Sequence, residues 1–179
     1  MTDTIPIGPA NIDDAAAIAE IYAHYVANST ATFEIEAPDS AQMAQRIGKV
    51  LADGYPWLVA RGPGGRVLGY AYAAQFGARE GYRFSCETSI YVRADALGKG
   101  LGTALLGELV SACEAIGQRQ AFAIIAGTEP ASVVLHARLG YRPCGTLENA
   151  GRKHGQWIDV FYMQRPLGDG GAWPPASEP

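Results

Sequence analysis

Apolar and polar positions follow two different periods along the first half of the chain. Apolar residues at helical spacing follow the capping segment 11–14, and a second such run begins near Asp39 and ends at Gly54. Two short apolar runs, 57–60 and 67–74, lie on either side of a turn rich in Gly and Pro. The pattern therefore predicts two amphipathic helices followed by a β-hairpin.

The second half alternates between strands and helices. A β-branched and aromatic strand over 85–92 leads into a glycine loop that opens a long helix. The remaining predicted elements are an apolar strand over 121–126, a short helix over 130–139, and a final antiparallel pair over 141–147 and 157–163. This order predicts a single α/β domain with a mixed, mostly antiparallel sheet flanked by helices on both faces.

Length and composition agree with one domain. A chain of 179 residues is long enough for a single domain with its own core and too short for two. We expect the folded domain to span 1–167 and the Gly- and Pro-rich stretch 168–179 to be a flexible tail.

Charge and cysteine usage narrow the choice of partners and compartment. A formal net charge of −4 offers no basic face for nucleic acid. No secretory signal is visible, and no apolar run approaches the roughly 20 residues that cross a membrane. Cys86, Cys113 and Cys144 show neither disulfide-framework nor metal-ligand spacing. We therefore expect a cytoplasmic protein that binds no metal, nucleic acid or membrane.

The most specific motif is the glycine loop Gly98-Lys-Gly-Leu-Gly102 between a strand and a helix. Glycines let the backbone approach a bulky anion, and the unpaired N–H groups of the first helical turn point towards it. Lys99 can add a positive charge. The spacing matches neither a Walker loop nor a dinucleotide-binding GxGxxG motif. From these residues alone, a phosphate site and a plain tight turn are equally good interpretations.

The order of the elements around this loop resembles the GNAT superfamily of acetyl-CoA-dependent acyltransferases. The superfamily's Q/R-x-x-G-x-G/A loop corresponds to Leu97–Gly102, and Leu139-Gly-Tyr141 matches a later segment. Leu97 departs from the usual Gln or Arg, which removes one side-chain contact but leaves the backbone cradle. The resemblance implies acetyl-CoA as cosubstrate and these cofactor-binding residues: Ile90, Tyr91, Val92, Gly98, Lys99, Gly100, Leu101, Gly102 and Thr103.

Several separated segments are similar to the phosphinothricin N-acetyltransferase group within that superfamily. They include IYAHYVANSTATFEIE, AREGYRFSCETSIYV and GRKHGQWIDVFYMQR, and together they extend from Ile21 to Leu167. The resemblance implies acetylation of the α-amino group of phosphinothricin, methionine sulfoximine or methionine sulfone. It also implies a homodimer.

A carboxylate, Glu87, interrupts the apolar strand that precedes the glycine loop. An ionised carboxylate in a strand is costly to bury unless it faces a cleft, water or a partner, and a solvated edge strand is the plain alternative. A carboxylate near a protonated amine can act as general base, and the resemblance assigns this role to Glu87. Strand alternation places Cys86 on the opposite face, which favours direct transfer in a ternary complex over a cysteine acyl-enzyme.

Two positions on the short helix differ from the usual superfamily pattern. Many members carry an Asn that contacts the pantetheine arm and, seven residues later, a Tyr that protonates the departing thiolate. This chain has Glu129 and His136 at those positions, and the phosphinothricin group also carries His at the second. An ionised Glu129 cannot donate the hydrogen bond of an amide. For His136, a catalytic acid, a substrate orienter and a structural histidine remain open.

The substrate side is assigned to Arg79, Tyr82 and Phe33. Arg79 offers a planar fork for a carboxylate or phosphinate, Tyr82 a further donor and Phe33 an apolar wall. A solvated loop arginine is the alternative for Arg79. Lys153-His154 and Trp157 lie near the last hairpin, where a surface turn and dimer packing are equally good explanations.

Two other functions are compatible with the sequence. One is acetylation of a different amine, such as a protein N-terminus or a polyamine, although Arg79 argues against an acidic polyamine pocket. The other is a non-catalytic module that binds acyl-CoA, for which Leu97 and Glu129 are the best support.

Overall fold

The computed structural model describes residues 5–175, in which seven strands form one sheet flanked by four α-helices. The helices are α1 (Ala15–Asn28), α2 (Ser40–Ala52), α3 (Leu101–Ala115) and α4 (Pro130–Arg138). The strands are β1 (Ile7–Pro9), β2 (Trp57–Arg61), β3 (Val67–Gln75), β4 (Ser85–Val92), β5 (Gln120–Ala126), β6 (Arg142–Lys153) and β7 (Gln156–Pro166).

The strands follow the order β1-β2-β3-β4-β5-β7-β6, and only β4 and β5 are parallel neighbours. This confirms the predicted mixed, mostly antiparallel sheet. The sequence pattern missed β1, which has only three residues, including Gly8 and Pro9. The last hairpin is longer than predicted because β6 continues through two register shifts to Lys153.

Apolar cores on both faces of the sheet hold the helices in place. Strand alternation turns Tyr70 towards α1 and α2, where it is buried with Ile18 and Ile47. The next residue, Ala71, faces α3 and is buried with Leu105. The predicted placement of helices on both faces is therefore confirmed.

The two central parallel strands pair along only part of their length. Register is present for three residue pairs, from Ser85–Gln120 to Glu87–Phe122, and stops there. Beyond Glu87 the strands separate, and residues of both line a common cavity. A gap therefore opens at the carboxyl ends of β4 and β5, next to the amino end of α3.

The chain after β7 makes local contacts up to the end of the described region. The Gly170 N–H donates to the Leu167 carbonyl at 2.8 Å, and Arg119 lies 3.6 Å from Asp169. Part of the predicted tail, 176–179, lies outside the described residues. Within 5–175, no helix combines the length and apolar character needed to cross a membrane.

Candidate active site

A cavity of about 440 Å³ occupies the gap between β4 and β5. Its walls come from four parts of the chain: the end of α1 with the loop after it, the carboxyl ends of the two strands, the glycine loop with the start of α3, and α4. The lining includes Tyr25, Ala31, Ser89, Ile90, Tyr91, Val92, Leu97, Gly98, Gly100, Leu101, Gly102, Thr103, Ala126, Glu129 and His136.

The glycine loop reaches the cavity with its backbone exposed. Gly98 and Gly100 have φ angles of 75° and 77°, in the left-handed region that favours glycine. A Cβ at either position would meet nothing within 4 Å, so the backbone conformation, and not crowding within the fold, requires glycine. Helix α3 begins at Leu101 without a side-chain cap, which leaves first-turn N–H groups available to a ligand.

These features fit the diphosphate of acetyl-CoA. The open space beside both glycines admits a bulky anion, and the dipole of α3 favours negative charge at this end. Lys99 does not line the cavity, unlike the other predicted residues of the loop, and its ammonium donates to the Asp95 carbonyl, 3.2 Å away. The loop therefore offers its backbone as the principal anion contact.

Glu87 lies where the two parallel strands stop pairing. It is half-buried between Ala74 on β3 and Phe122 on β5. Burial raises the pKa of its carboxyl above the usual value. Burial also raises the pKa of the Tyr72 hydroxyl, and the nearby Glu87 carboxylate adds to that rise. Glu87 itself does not line the cavity, but the next two residues, Thr88 and Ser89, do. A carboxylate with increased proton affinity therefore lies at the closed end of the gap.

An aromatic row connects the Glu87 strand pair to the loop before β4. Phe122 stacks on Phe76 with ring centroids 4.2 Å apart, and Phe76 makes an edge-to-face contact with Tyr82 at 5.5 Å. Arg79 is exposed at the start of the short helical turn that contains Tyr82. Tyr82 and Arg79 thus lie at the outer end of a row that begins beside Glu87.

Phe33 lies against β6, whereas Tyr82 packs on Phe76, and neither residue lines the cavity itself. The Phe33 ring covers Gly151 of β6 so closely that a Cβ on Gly151 would come within 2.2 Å of it. The loop that carries Phe33 also contributes Ala31 to the cavity lining. Phe33 is therefore held by β6, whereas the Arg79 loop is connected to the Glu87 strand pair.

His136 lies on the wall formed by α4 and is only 2% exposed. Its Nδ1 lies 2.8 Å from the Ser132 carbonyl, which can only accept, so Nδ1 carries a proton. Burial lowers the pKa of the imidazole and favours its neutral form. Nε2 is then an acceptor, and it is buried without a hydrogen-bond partner among the described residues.

Thr88 and Tyr141, which the sequence did not single out, form the support behind His136. The Thr88 hydroxyl donates to the Phe122 carbonyl at 3.1 Å, where strand pairing ends. The Thr88 hydroxyl oxygen lies 2.9 Å from the Tyr141 hydroxyl. Because the Thr88 proton is used towards Phe122, the Tyr141 hydroxyl is the donor in this second bond. The Tyr141 ring makes an edge-to-face contact with His136 at 5.0 Å. No local sequence signal marks Thr88, because its partners lie far away along the chain.

Glu129 lies at the amino end of α4, half-buried and in the cavity lining. Its side chain does not cap the helix, and it accepts a weak hydrogen bond of 3.4 Å from Thr30. Thr30 also contacts Thr128. The loop after α1 and the start of α4 therefore meet across the mouth of the cavity.

Two of the three cysteines, Cys86 and Cys113, are buried in the core, and Cys144 is exposed. Cys86 is fully buried against α3, on the face opposite Glu87, as strand alternation predicts. A contact with Cys86, together with burial, raises the pKa of the Cys113 thiol. A buried thiol with this surrounding is poorly suited to act as an acyl acceptor.

The last hairpin separates three residues that the sequence grouped together. Lys153 is buried at 3% exposure, so the surface-turn interpretation is wrong for this residue. His154 lies in the turn itself with a φ of 49°. Trp157 is 61% exposed and stacks against the guanidinium of Arg152.

Among residues 5–175, no group of three or more His, Cys, Asp or Glu side chains is placed to hold a metal ion.

Comparison with known proteins gives consistent results. Residues 7–162 match the family model described as the acetyltransferase (GNAT) domain. The chain is 45% identical over 159 residues to a phosphinothricin N-acetyltransferase of Alcaligenes faecalis, covering 88% of this chain and 80% of that relative. It is 38% identical over 161 residues to an L-methionine sulfoximine/L-methionine sulfone acetyltransferase of Pseudomonas aeruginosa, covering 90% and 94%.

A solved structure is similar over almost the whole fold. It is a GNAT superfamily phosphinothricin acetyltransferase from Sinorhizobium meliloti in complex with acetyl-CoA. The TM-score is 0.95 at 45% sequence identity, and the match covers 97% of this chain and 94% of that one.

Proposed function

Because this chain belongs to the GNAT acetyltransferase family, we propose that it transfers the acetyl group of acetyl-CoA to the α-amine of a small amino-acid analogue. The substrates that we infer are of the phosphinothricin, methionine sulfoximine or methionine sulfone type, after the names of its relatives. The observation that carries the proposal is Glu87, a half-buried carboxylate with a raised pKa at the point where β4 and β5 separate.

Glu87 acts as the base. An α-amine is mostly protonated at neutral pH, and only the neutral amine attacks a thioester. The Glu87 carboxylate takes the proton, directly or through one water, and its raised pKa strengthens it for this step. Acetyl-CoA, when bound, supplies the activated acetyl group. Burial of Cys86 on the opposite face of β4 favours direct transfer in a ternary complex.

His136 orients the amine. With Nδ1 bonded to the Ser132 carbonyl and the ring neutral, Nε2 carries a lone pair without a partner among the described residues and has no proton to donate. It can accept one N–H of the incoming ammonium while Glu87 takes another proton. The geometry thus favours orientation over acid catalysis among the roles that the sequence left open.

The glycine loop and the edges of β4 and β5 that face each other across the gap bind the cofactor. The backbone at Gly98–Thr103 fits the diphosphate, and residues 90–92 of β4 have no partner from β5 at that level. Leu97 and Glu129 also line the cavity, but neither removes the backbone N–H groups of the glycine loop. Cofactor binding by backbone is therefore compatible with both departures from the superfamily pattern.

Arg79 and Tyr82 hold the acidic end of the substrate. Arg79 is exposed and free to form a bidentate contact with a carboxylate or phosphinate. Tyr82 is placed by its ring contact with Phe76. Phe33 supplies an apolar wall from the opposite side. This combination favours an anionic amino-acid analogue over a polyamine.

A screen of purified enzyme with acetyl-CoA tests the proposal. Thiol release is measured with phosphinothricin, methionine sulfoximine and methionine sulfone, against the twenty amino acids, spermidine and a peptide with a free N-terminus. We expect turnover with the first group at a kcat/KM at least about 10-fold above that of the other amines. Binding of acetyl-CoA by calorimetry without turnover of any amine would instead indicate a binding module.

We further infer a homodimer, which the family resemblance implies. The edge strand β6 is exposed along almost its whole length, and the exposed apolar residues Leu147 and Trp157 lie on the hairpin that it forms with β7. Light scattering coupled to gel filtration should give twice the chain mass for the wild type. The variant Trp157→Ser should shift the equilibrium towards the monomer.

The remaining inferences concern domain limits and location. We infer that residues 1–167 form the acetyltransferase domain and that the protein works in the cytoplasm. The free thiols of Cys86 and Cys113 in one core are compatible with a reducing compartment. Truncation after Leu167 should preserve acetyl-CoA binding, and cell fractionation tests the location.

A further inference from the structure

Lys153, the last residue of β6, is a buried cation outside the residues to which we have given a role. It is 3% exposed, and its ammonium donates to the Thr32 carbonyl at 2.8 Å. Burial lowers the pKa of this ammonium, and Glu34 acts in the opposite direction. A buried charge is costly unless hydrogen bonds or an opposite charge compensate it. The Thr32 carbonyl and Glu34, both on the loop after α1, provide this compensation for Lys153.

The same loop is held from its other side by α1 and α2. The Thr32 hydroxyl lies 2.6 Å from the Tyr22 hydroxyl, which itself donates to Glu34 at 2.9 Å. Arg46 adds two bonds to Glu34, at 2.7 and 3.0 Å. Lys153 therefore ends a chain of polar contacts that begins on α2 and crosses the loop to β6.

Segment 30–34, which these contacts hold, touches the active site at several points. Ala31 lines the cavity, and Thr30 contacts Thr128 at the mouth. Glu34 and Glu87 both influence the pKa of Tyr72, so the segment and the catalytic carboxylate approach the same side chain. Phe33 lies over Gly151, two residues before Lys153.

We propose that Lys153 is a positioning residue for the amine substrate. It fixes segment 30–34 as the wall that carries Phe33, and it acts through that segment without touching the substrate. The proposal rests on the proposed function for the identity of the substrate. The glycine loop lies outside this network of contacts, so acetyl-CoA binding should not depend on Lys153.

The test compares Lys153→Met with the matched control Arg152→Met, which removes an exposed cation from the neighbouring position. In Lys153→Met, hydrogen exchange of the amides of segment 30–34 should quicken by about 10-fold or more, with the glycine loop unchanged. The KM for the amine should rise by about 10-fold while kcat and the acetyl-CoA dissociation constant change by less than about 3-fold. Arg152→Met should show neither change.

A purely structural lysine would give another result, namely a lower melting temperature and a smaller active fraction with an unchanged KM. Unchanged exchange in 30–34 would overturn the proposal, and so would faster exchange with an unchanged KM. If wild-type enzyme acetylates none of the amines, the proposed function fails, and the exchange result alone then decides whether Lys153 orders the segment. If Lys153→Met does not fold, Lys153→Gln replaces it, because its shorter, uncharged side chain stops short of Thr32.

Discussion

The hydroxyl of Tyr141 donates a hydrogen bond to the hydroxyl of Thr88, with 2.9 Å between the oxygens. The Thr88 hydroxyl in turn donates to the Phe122 carbonyl, at the level where β4 and β5 stop pairing. The Thr88 side chain therefore links β4 to β5 where their pairing ends, and it also positions Tyr141, which packs against His136. These two hydroxyls therefore connect the packing of His136 to the point where β4 and β5 separate.

Removing the Thr88 hydroxyl should destabilise the fold. In Thr88→Val the Phe122 carbonyl and the buried Tyr141 hydroxyl both lose a partner, so we expect the free energy of unfolding to fall by about 1–3 kcal/mol. Urea denaturation followed by circular dichroism measures it. Thr146→Val, at an exposed position of β6, is the control and should change stability by less than about 0.5 kcal/mol. Equal stability of the two variants would refute this role of Thr88.

Replacing Glu87 should separate activity from stability. Glu87→Gln removes the base and should lower kcat by about 10²- to 10⁴-fold, with little change in acetyl-CoA affinity. Because the pKa of Glu87 is raised in the fold, stability falls as the pH rises from the usual value of a glutamate through that raised pKa, and the full cost of ionisation is present above it. The variant should therefore be as stable as the wild type at pH 7, or more so, by thermal denaturation.

The acid side of the pH–rate profile gives a second readout for Glu87. Wild-type activity should fall as the pH drops through the raised pKa of this carboxyl, and this limb should be absent from the residual activity of Glu87→Gln. Glu80→Gln, at an exposed position of the nearby loop, is the control. An unchanged profile with full activity in Glu87→Gln would show that another group is the base.

His136 should be a neutral Nδ1–H tautomer at pH 7. Its bond to the Ser132 carbonyl requires a proton on Nδ1, and its lowered pKa favours the neutral ring. Nitrogen-15 NMR should show a protonated Nδ1 and an unprotonated Nε2, with protonation of Nε2 only below the usual pH range of histidine. Because the folded state resists protonation of His136, the protein should lose stability as the pH falls below about 6.5. A cationic ring at pH 7 would instead favour the acid role.

Gly100→Ala should affect the cofactor more than the amine. The left-handed φ of 77° strains any residue with a Cβ by about 1 kcal/mol, and the added methyl group occupies space beside the backbone cradle. We expect the KM for acetyl-CoA to rise by about 10-fold or more, with a smaller change in the KM for the amine. Gly117→Ala has a similar φ of 86° after the opposite end of α3, where a Cβ also meets nothing within 4 Å, and it is the control for strain alone. Equal effects of both variants on acetyl-CoA would exclude a phosphate role for the loop.

Arg79→Ala should weaken binding of anionic amines without loss of stability. The side chain is exposed, so its removal leaves the core intact, whereas a lost charge-assisted bidentate contact costs about 1.5–3 kcal/mol of binding. Steady-state kinetics should show a KM raised by about 10- to 100-fold for phosphinothricin, and less for an amine that lacks the second acidic group. An unchanged KM would place the acidic end of the substrate elsewhere.

Local patterns predicted the parts of this molecule that depend on residues close in sequence. The strand, glycine loop and helix around Gly100 lie within one stretch of chain, and Glu87 stands out because it interrupts an apolar strand. The alternation of Cys86 and Glu87 also placed the two side chains on opposite faces. Each of these expectations requires only the period of a strand or the conformational freedom of glycine.

Long-range contacts were beyond the reach of such patterns. Thr88 and Tyr141 are 53 residues apart, and Lys153 and Thr32 are 121 apart, so no spacing rule relates them. For Lys153 the sequence left a surface turn and dimer packing as equal explanations, and both place the lysine at the protein surface. Its burial depends on the loop after α1 folding over β6, which is a property of the tertiary structure. The short strand β1 was missed for a similar reason, since only its pairing with β2 identifies it.

The contact between Phe33 and Gly151 has a consequence for how such an enzyme can diverge. Any side chain at 151 would occupy the volume of the Phe33 ring, so a larger residue there requires a smaller one at 33. We therefore expect positions 33 and 151 to change together, because a single substitution at 151 displaces the Phe33 ring. Laboratory selection for a new amine should therefore yield paired exchanges at 33 and 151 more often than either change alone.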